Sequence, residues 1–401
     1  MAEAGERRSG RAVLGELVEQ FDRVPPYDIV VVCQQWLRDR AGARRSELLL
    51  VDYDQTVLEP AHGDEAASRT GHRHLVGEGA AGTAYREQRV VQELGPRRSV
   101  TVFLPVTMRT ERLGILLVEF DGSEPVDSAL LTDAARLLAL VLVGARRYTD
   151  RFEVLRRNKD LELAAEIQWE LLPVLAYELP EFSIAGELQP TYDIGGDTFD
   201  YAVSATRLTV SITDAVGRGL RAALLASLAV TAMRNTRRSG RAIGAQAANA
   251  NSHLVEQFPG PHFVTGLLLE IDLPGGSVRA LNAGHPPPLL LRDGAVAPVP
   301  LTPDLPLGLA DGAVYREQHF QLRSGDRLLL LTDGITEAHC RGGPEFGDEN
   351  VSDLLRSLAH LHPTEFVRRL SRAVVDHCGD ITDDATAVCL DWTRPRDSPG
   401  S

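Results

Sequence analysis

Four short turns each set a carboxylate beside a glycine or a second carboxylate, and each closes or opens an apolar, strand-like run. They are Ile194-Gly195-Gly196-Asp197-Thr198-Phe199-Asp200, Thr213-Asp214-Ala215-Val216-Gly217-Arg218-Gly219, Leu331-Thr332-Asp333-Gly334 and Thr382-Asp383-Asp384-Ala385-Thr386. Carboxylates brought together without counter-charge repel one another, and their pKa values rise. Convergence of these turns therefore calls for a hard cation, since magnesium and manganese take oxygen ligands in octahedral sets completed by water. Gly195, Gly196, Gly217 and Gly219 allow tight backbone turns, so that a carbonyl as well as a carboxylate can face an ion. Taken singly each segment is also an ordinary Asp-Gly turn. Their order, each at a strand end, sets them apart.

A chain of 401 residues predicts two or three domains. Its net charge is -14, and the excess acid is uneven. Up to Asp150 there are 19 Lys+Arg against 23 Asp+Glu, which leaves 23 against 33 in the remainder, where the Asp turns lie. That balance excludes nucleic acid as the main partner, because phosphate contacts need a basic face. The longest apolar run, Leu137 to Ala145, is far short of the ~20 residues that span a bilayer. The charged start, Met1 to Arg11, has no cleavable apolar region after it. The expectation is a cytoplasmic protein with no membrane contact. Cys33, Cys340, Cys378 and Cys389 form no CxxC pair, which fits reduced thiols.

In chain order, residues 1–11 read as a disordered N-terminus. Val13 to Trp36 is apolar at helical spacing, broken by Pro25-Pro26 into two helices. Glu47 to Tyr53 reads as a strand, and Val76 to Thr83 as a glycine-rich turn into a short helix. That turn lacks the GK[ST] ending of a phosphate-binding loop. Val100–Val106 and Leu113–Phe120 form a hairpin, and Asp127–Arg147 a closing amphipathic helix. This order, with "VGEGAAGTAYREQRVV" and "LPVTMRTERLGILLVEF", resembles a GAF sensory domain over residues 12–147. The resemblance implies a small-molecule or other signal of unknown identity; Cys33, His62, His72 and His74 could line its pocket or simply be loop and core residues.

Residues 148–175 read as a helical linker. Val154, Asn158, Leu161, Ala165, Gln168 and Leu172 follow 4-3-4-3-4 spacing, a coiled-coil-like seam with two polar members. The expectation is one helix of ~25 residues and ~37 Å, through which the chain forms a homodimer. Beyond it, short strands are read at Phe182–Leu188, Thr198–Val203, Leu208–Thr213, Phe263–Asp272, Ser277–Asn282, Pro288–Leu291, Arg327–Leu331 and Ala385–Asp391. Helices are grouped between them at Arg221–Arg238, Ile243–Gln257, Val351–Ala359 and Pro363–Cys378. This order predicts an α+β fold, a sandwich of antiparallel sheets covered by helices. Residues 393–401 read as a disordered tail.

The segment 160–392 resembles the bacterial PP2C-type serine/threonine phosphatases of the sporulation and stress-response class, and 176–392 is taken as a PP2C-like αββα sandwich. The family run AxxIQxxLLP matches Ala164–Pro173. GGDxYD matches Gly195–Asp200, with Phe199 for Tyr, and DVxGHG matches Asp214–Gly219, with Ala215 for Val and Arg218 for His. NAGHPPPLL matches Asn282–Leu290, PLGL matches Pro306–Leu309, LLLxTDGxxE matches Leu329–Glu337 and DDxT matches Asp383–Thr386.

The resemblance implies two Mn²⁺ or Mg²⁺ ions. Asp214 would bridge them, the Ala215 carbonyl would bind one, Asp333 and Asp383 would complete the other, and Asp197 would act at the second ion through water. The Arg218 departure removes no ligand but leaves open what the usual His does. Asp200 and Asp384 read as structural neighbours, and His285 as either a proton donor to the leaving group or a residue of the Pro-rich turn. The implied activity is hydrolysis of phosphoserine or phosphothreonine on a phosphorylated regulatory protein of the anti-anti-sigma type, under control of the sensor. Two rivals stand beside it: a pseudophosphatase that only binds a partner, and a metal phosphohydrolase for small molecules.

Overall fold

The computed structural model describes residues 2–61, 72–122, 126–189, 195–338, 344–378 and 384–393. The chain divides into two compact units, Met1–Asp160 and Leu161–Ser401.

The first unit is a six-stranded antiparallel sheet in the order β3-β2-β1-β6-β5-β4. Its strands are β1 (Arg45–Val51), β2 (Val57–Pro60), β3 (His74–Leu75), β4 (Val91–Leu94), β5 (Val100–Met108) and β6 (Glu111–Phe120). Three helices, α1 (Ala2–Arg23), α2 (Ile29–Ala41) and α4 (Ser128–Ala145), cover one face. The short α3 (Gly79–Glu87) closes the other. The period-2 alternation of β1 sends Leu48 and Leu50 to the helical face and Leu49 and Val51 to the other. The Asp127 side chain accepts from the Leu130 amide and starts α4. Among the described residues α4 is the helix long and apolar enough to cross a membrane. It places Leu131, Ala135, Leu138 and Leu142 in the core. The backbone is helical from Ala2, where a disordered N-terminus was expected. Cys33 is buried on α2 with its thiol pushed up to about 12, a core residue and no pocket ligand. His74 lies on β3 against the ring of His72, and His62 is outside the described residues.

The continuous linker helix is overturned. Helix α4 ends at Ala145, α5 covers only Arg151–Leu155, and α6 starts at Leu163 and ends at Leu171. Three side chains hold α5 and the break to the first unit. Phe152 is buried in its core. Arg156 donates to the Val51 carbonyl and lies over the Tyr53 ring, and Asn158 donates to Asp52. The seam therefore has no common face: Val154 is 48% exposed and Gln168 2% exposed. Asn-Lys-Asp at 158–160 favours a turn over helix interior. The homodimer was expected through this seam, and the broken helix no longer supplies a continuous face for it.

The second unit has two packed sheets. One is ordered β15-β12-β11-β10-β9 and the other β14-β13-β16-β17-β8-β7. The strands are β7 (Ala176–Leu179), β8 (Phe182–Gln189), β9 (Thr198–Val203), β10 (Arg207–Ala215), β11 (Val264–Asp272), β12 (Ser277–Ala283), β13 (Leu289–Arg292), β14 (Ala295–Pro298), β15 (Gln318–Gln321), β16 (Arg327–Leu331) and β17 (Ala385–Trp392). Between the sheets lie Val210, Ile212, Leu267, Leu269, Leu328, Leu330, Val388 and Leu390. Burying a leucine of this kind is worth roughly 1.5–3 kcal/mol. The alternate residues of the same strands face outward under helices. Leu268 and Leu281 pack under α7 (Leu220–Arg238) and α8 (Ile243–Gln257). Leu329, Ala387 and Cys389 pack under α10 (Gly347–Ser357) and α11 (Pro363–Cys378). The result is four layers, helix–sheet–sheet–helix, as expected for this half. In this unit the strands without a counterpart in the sequence reading are β7, β14 and β15, each only four residues long.

Between the sheets the Phe199 ring sits directly over Gly186, where a Cβ would lie 2.2 Å from the ring. Gly186→Val should therefore cost roughly 1–3 kcal/mol or more, seen as a lower urea midpoint. Most of that loss should be recovered by adding Phe199→Leu.

Candidate functional site

The Asp-bearing turns of the second unit meet at one end of the two sheets. Strands β9 and β10 pair in the register Thr198↔Thr213, which sets Asp197, just before β9, beside Asp214 near the end of β10. On the other side Asp214 pairs with Thr265 and Ala215 with Val264 of β11. Gly196 makes the approach possible: a Cβ there would lie 3.1 Å from the Ala215 carbonyl oxygen and 3.3 Å from the Ala222 Cβ. The Ala215 amide donates to the Gly196 carbonyl at 3.2 Å. From the second sheet come β16 and β17. A short helix, α9 (Asp333–Thr336), follows β16. A Cβ at Gly334 would lie 1.8 Å from the Asp384 carbonyl oxygen, so only glycine lets these two turns touch.

Asp197 is the centre of the network and is 2% exposed. Thr332 Oγ1 donates to its Oδ2 at 2.5 Å. Thr332 is itself fixed, accepting from the Thr386 amide at 2.9 Å. The Asp197 amide donates to Asp384 Oδ2 at 3.1 Å. Gln168 Nε2, reaching in from α6, donates to the Asp197 carbonyl at 2.5 Å and to Asp384 Oδ2 at 3.1 Å. Burial first, then the charges of Asp214 and Asp384, push the Asp197 carboxyl well above the usual range, while the Thr332 and Thr386 hydroxyls oppose the rise.

Of the expected ligands, Asp197, Asp214 and Ala215 are brought together, with Asp214 half-buried. Asp333 is exposed at the start of α9. Asp383 lies outside the described residues, and among those described no three metal-binding side chains form a cage. The donors present are carboxylate and carbonyl oxygens, the set that Mg²⁺ or Mn²⁺ takes. A desolvated carboxylate crowded by like charges is what such a cation would neutralise.

The neighbours separate into roles. Asp200 is buried and bound by Arg234 and Arg237, each at 2.8 Å, and so is structural. Asp384 braces Asp197 through the two hydrogen bonds it accepts. Arg218 is exposed between Gly217 (φ 96) and Gly219 (φ 68), and makes no hydrogen bond or ion pair among the described residues. His285 is buried, its Nδ1 2.8 Å from Thr265 Oγ1, and Asn282 brackets its backbone amide and carbonyl at 2.8 Å each. Burial lowers its pKa from 6.5 to about 4, with the Leu331 backbone opposing, so the ring is neutral at pH 7 and is no proton donor. Two contributors escaped the sequence reading. Gln168 reads as part of the linker seam, although its place in Ala164–Pro173 also marks it as part of the second unit. Thr332 is the residue before Asp333, and the signal for it is that a Thr precedes the Asp in three of the four turns, Thr213-Asp214, Thr332-Asp333 and Thr382-Asp383.

Residues 204–393 match the family described as Stage II sporulation protein E (SpoIIE). The chain is similar to the phosphoserine phosphatase RsbU of Bacillus subtilis, 23% identical over 188 residues, covering 46% of this chain and 56% of RsbU. It is also similar to the phosphoserine phosphatase RsbP of the same organism, 25% identical over 190 residues, covering 46% of each chain. The chain thus spans about half the length of these curated relatives. Among solved structures, the RsbU and RsbW domains of a Mycobacterium tuberculosis protein align with TM-score 0.49 and 28% identity, over 54% of this chain and 62% of that one. The SiaA PP2C domain of Pseudomonas aeruginosa aligns with TM-score 0.49 and 21% identity, over 57% and 94%.

Two outcomes test the structural assignments. A histidine kept neutral by burial destabilises the fold once the unfolded chain begins to bind a proton. Unfolding free energy should fall between pH 6.5 and about 4, by about 3 kcal/mol at most. His285→Gln should lack that share of the slope in urea titrations run across the window. Asp200→Asn should cost about 3 kcal/mol by leaving two guanidinium groups short of their carboxylate, measured by the same unfolding method.

Proposed function

We propose that the second unit is a metal-dependent PP2C-type serine/threonine protein phosphatase and that the first is a GAF-like sensor that controls it. The observation that carries the reading is the packing of Asp197 against Asp214 and Asp384, turns drawn from both sheets. The named phosphoserine phosphatases among the relatives support the same activity. The substrate we propose is a phosphorylated regulatory protein of the anti-anti-sigma type.

In this reading Asp214, the Ala215 carbonyl, Asp333 and Asp383 hold two divalent cations, with Asp197 acting at one of them through water. The bound cations would supply an activated water at neutral pH and offset charge on the phosphoryl oxygens. The chain's own residues set the geometry. Thr332 points the Asp197 carboxylate, and Asp384 and Gln168 fix the backbone on either side of it. His285, buried and neutral, transfers no proton to the leaving alkoxide. Asp214 is only half-buried, so a phosphoryl group can approach it.

Gln168 also suggests how control reaches the site. It lies on α6, at the beginning of the second unit, and its amide is shared between Asp197 and Asp384. A shift of α6 would be felt first at the buried carboxylates.

The test is phosphate release from a phosphoserine protein with and without Mn²⁺, together with thermal melting. Asp214→Asn should lose at least about 100-fold in rate and should no longer gain melting temperature from Mn²⁺. Gln168→Leu should remain folded but lose at least about tenfold, because two buried hydrogen bonds at Asp197 and Asp384 go with it. Wild-type turnover and a wild-type Mn²⁺ melting shift in Asp214→Asn would overturn the proposed centre. Hydrolysis of nucleotides faster than of phosphoprotein would favour a small-molecule phosphohydrolase. Tight binding of a phosphoprotein with no phosphate release would favour a binding module.

A further inference from the structure

The rim beside Asp214 carries positive charge and exposed leucines on an otherwise acidic unit. Strand β10 ends at Ala215, which pairs with Val264 of β11. Val264 in turn exchanges backbone hydrogen bonds with Leu307, at 2.8 and 2.9 Å. At the usual spacing of paired strands, the Leu307 backbone is about 10 Å from Ala215. Gly308 packs against the same stretch: a Cβ there would lie 3.1 Å from the His262 carbonyl oxygen. On either side of this segment Leu305 and Leu309 are exposed, at 51% and 43%.

The start of α7 completes the rim. It follows the Asp214–Gly219 turn directly. Leu220 and Leu224, four apart and so on one face, are each 44% exposed. Between them in sequence, the exposed Arg221 has its Nη1 2.8 Å from His262 Nε2. A guanidinium can only donate, so Nε2 accepts the bond. The pair holds Arg221 in place without cancelling its charge, and no carboxylate among the described residues pairs with it. This uncancelled cation stands in a region where acidic residues outnumber basic ones, 33 to 23 after Asp150.

We infer that this rim docks the protein substrate: an acidic segment, carrying apolar side chains, that presents the phosphoserine to the carboxylate centre. The inference rests on the phosphatase reading above and names the chemistry its substrate must have. Arg221 pairs with a carboxylate flanking the phosphoserine, and Leu220, Leu224, Leu305 and Leu309 receive the apolar side chains. A small phosphate ester has nothing to place on these leucines. An acidic, apolar protein segment matches both features at once.

The experiment uses the full chain with Mn²⁺ and two synthetic phosphoserine peptides, one flanked by Glu and Leu and the other by Lys and Leu. The readout is the ratio of kcat/KM between the peptides, in which any general loss of activity in a variant cancels. Wild type should prefer the Glu peptide by about tenfold or more, and less so as salt is raised. Arg221→Glu should invert the preference and Arg221→Lys should keep it. Leu224→Ser with Leu309→Ser should raise KM for both peptides. A wild-type ratio near one, or a ratio unmoved by Arg221→Glu, overturns the docking inference while the phosphatase reading stands. Turnover of neither peptide nor of p-nitrophenyl phosphate by wild type overturns the phosphatase reading, and the docking inference falls with it.

Discussion

Three carboxylates repel one another at the end of the second unit's sandwich, and the fold holds them there. Asp197 is buried against Asp214 and Asp384, and its proton affinity is raised as a result. Nothing in the local sequence favours that crowding. It is imposed by hydrogen bonds from Thr332, Gln168 and the Asp197 amide, and by glycines that let the backbones close up. The arrangement carries a cost in the bare protein, and that cost is offset only where positive charge is brought to it, as a divalent cation would do.

The two sheets divide the labour. The first supplies Asp197, Asp214 and Ala215 from neighbouring strand ends, so their spacing is fixed by ladder register. The second supplies Thr332, Asp333 and Asp384 from the ends of β16 and the start of β17, whose pairing Leu331↔Ala387 fixes them in the same way. What joins the two is the apolar layer between them. Phe199, in the motif that contains Asp197, is buried in that layer over Gly186. A tyrosine there would carry a hydroxyl into an apolar slot, and phenylalanine avoids the need for a partner. Packing and chemistry are thus set by adjacent residues of one short run.

Much of the second unit was legible because its signals are local. Strands such as Arg327–Leu331 and helices such as Ile243–Gln257 coincide with the sequence reading, since each has uniform periodicity and clear ends. The meeting of Asp197 with Asp214 was also expected from the order of the turns. The linker was misread because periodicity does not reveal which surface a face will meet. Val154, Asn158 and Gln168 keep helical spacing, yet Asn158 is captured by Asp52 and Gln168 by Asp197 and Asp384. Both captures bridge long sequence separations, and no window of the sequence contains both partners. Short edge strands such as β14 and β15 escaped for a related reason, as four residues hold too few alternations to read.

The break after α5 has a practical consequence for dissecting this chain. Phe152, on that helix, is 1% exposed and belongs to the first unit's core, while Gln168 on α6 belongs to the second unit's carboxylate network. A cut at the end of α4, where the apolar pattern first weakens, would strip the first unit of a core aromatic and leave that same ring bare on the second. A cut between Asp160 and Leu161 leaves each aromatic and each buried amide with the partners that cover it. The place where this protein can be divided is thus set by the ownership of two side chains, and neither lies where a helix was expected to end.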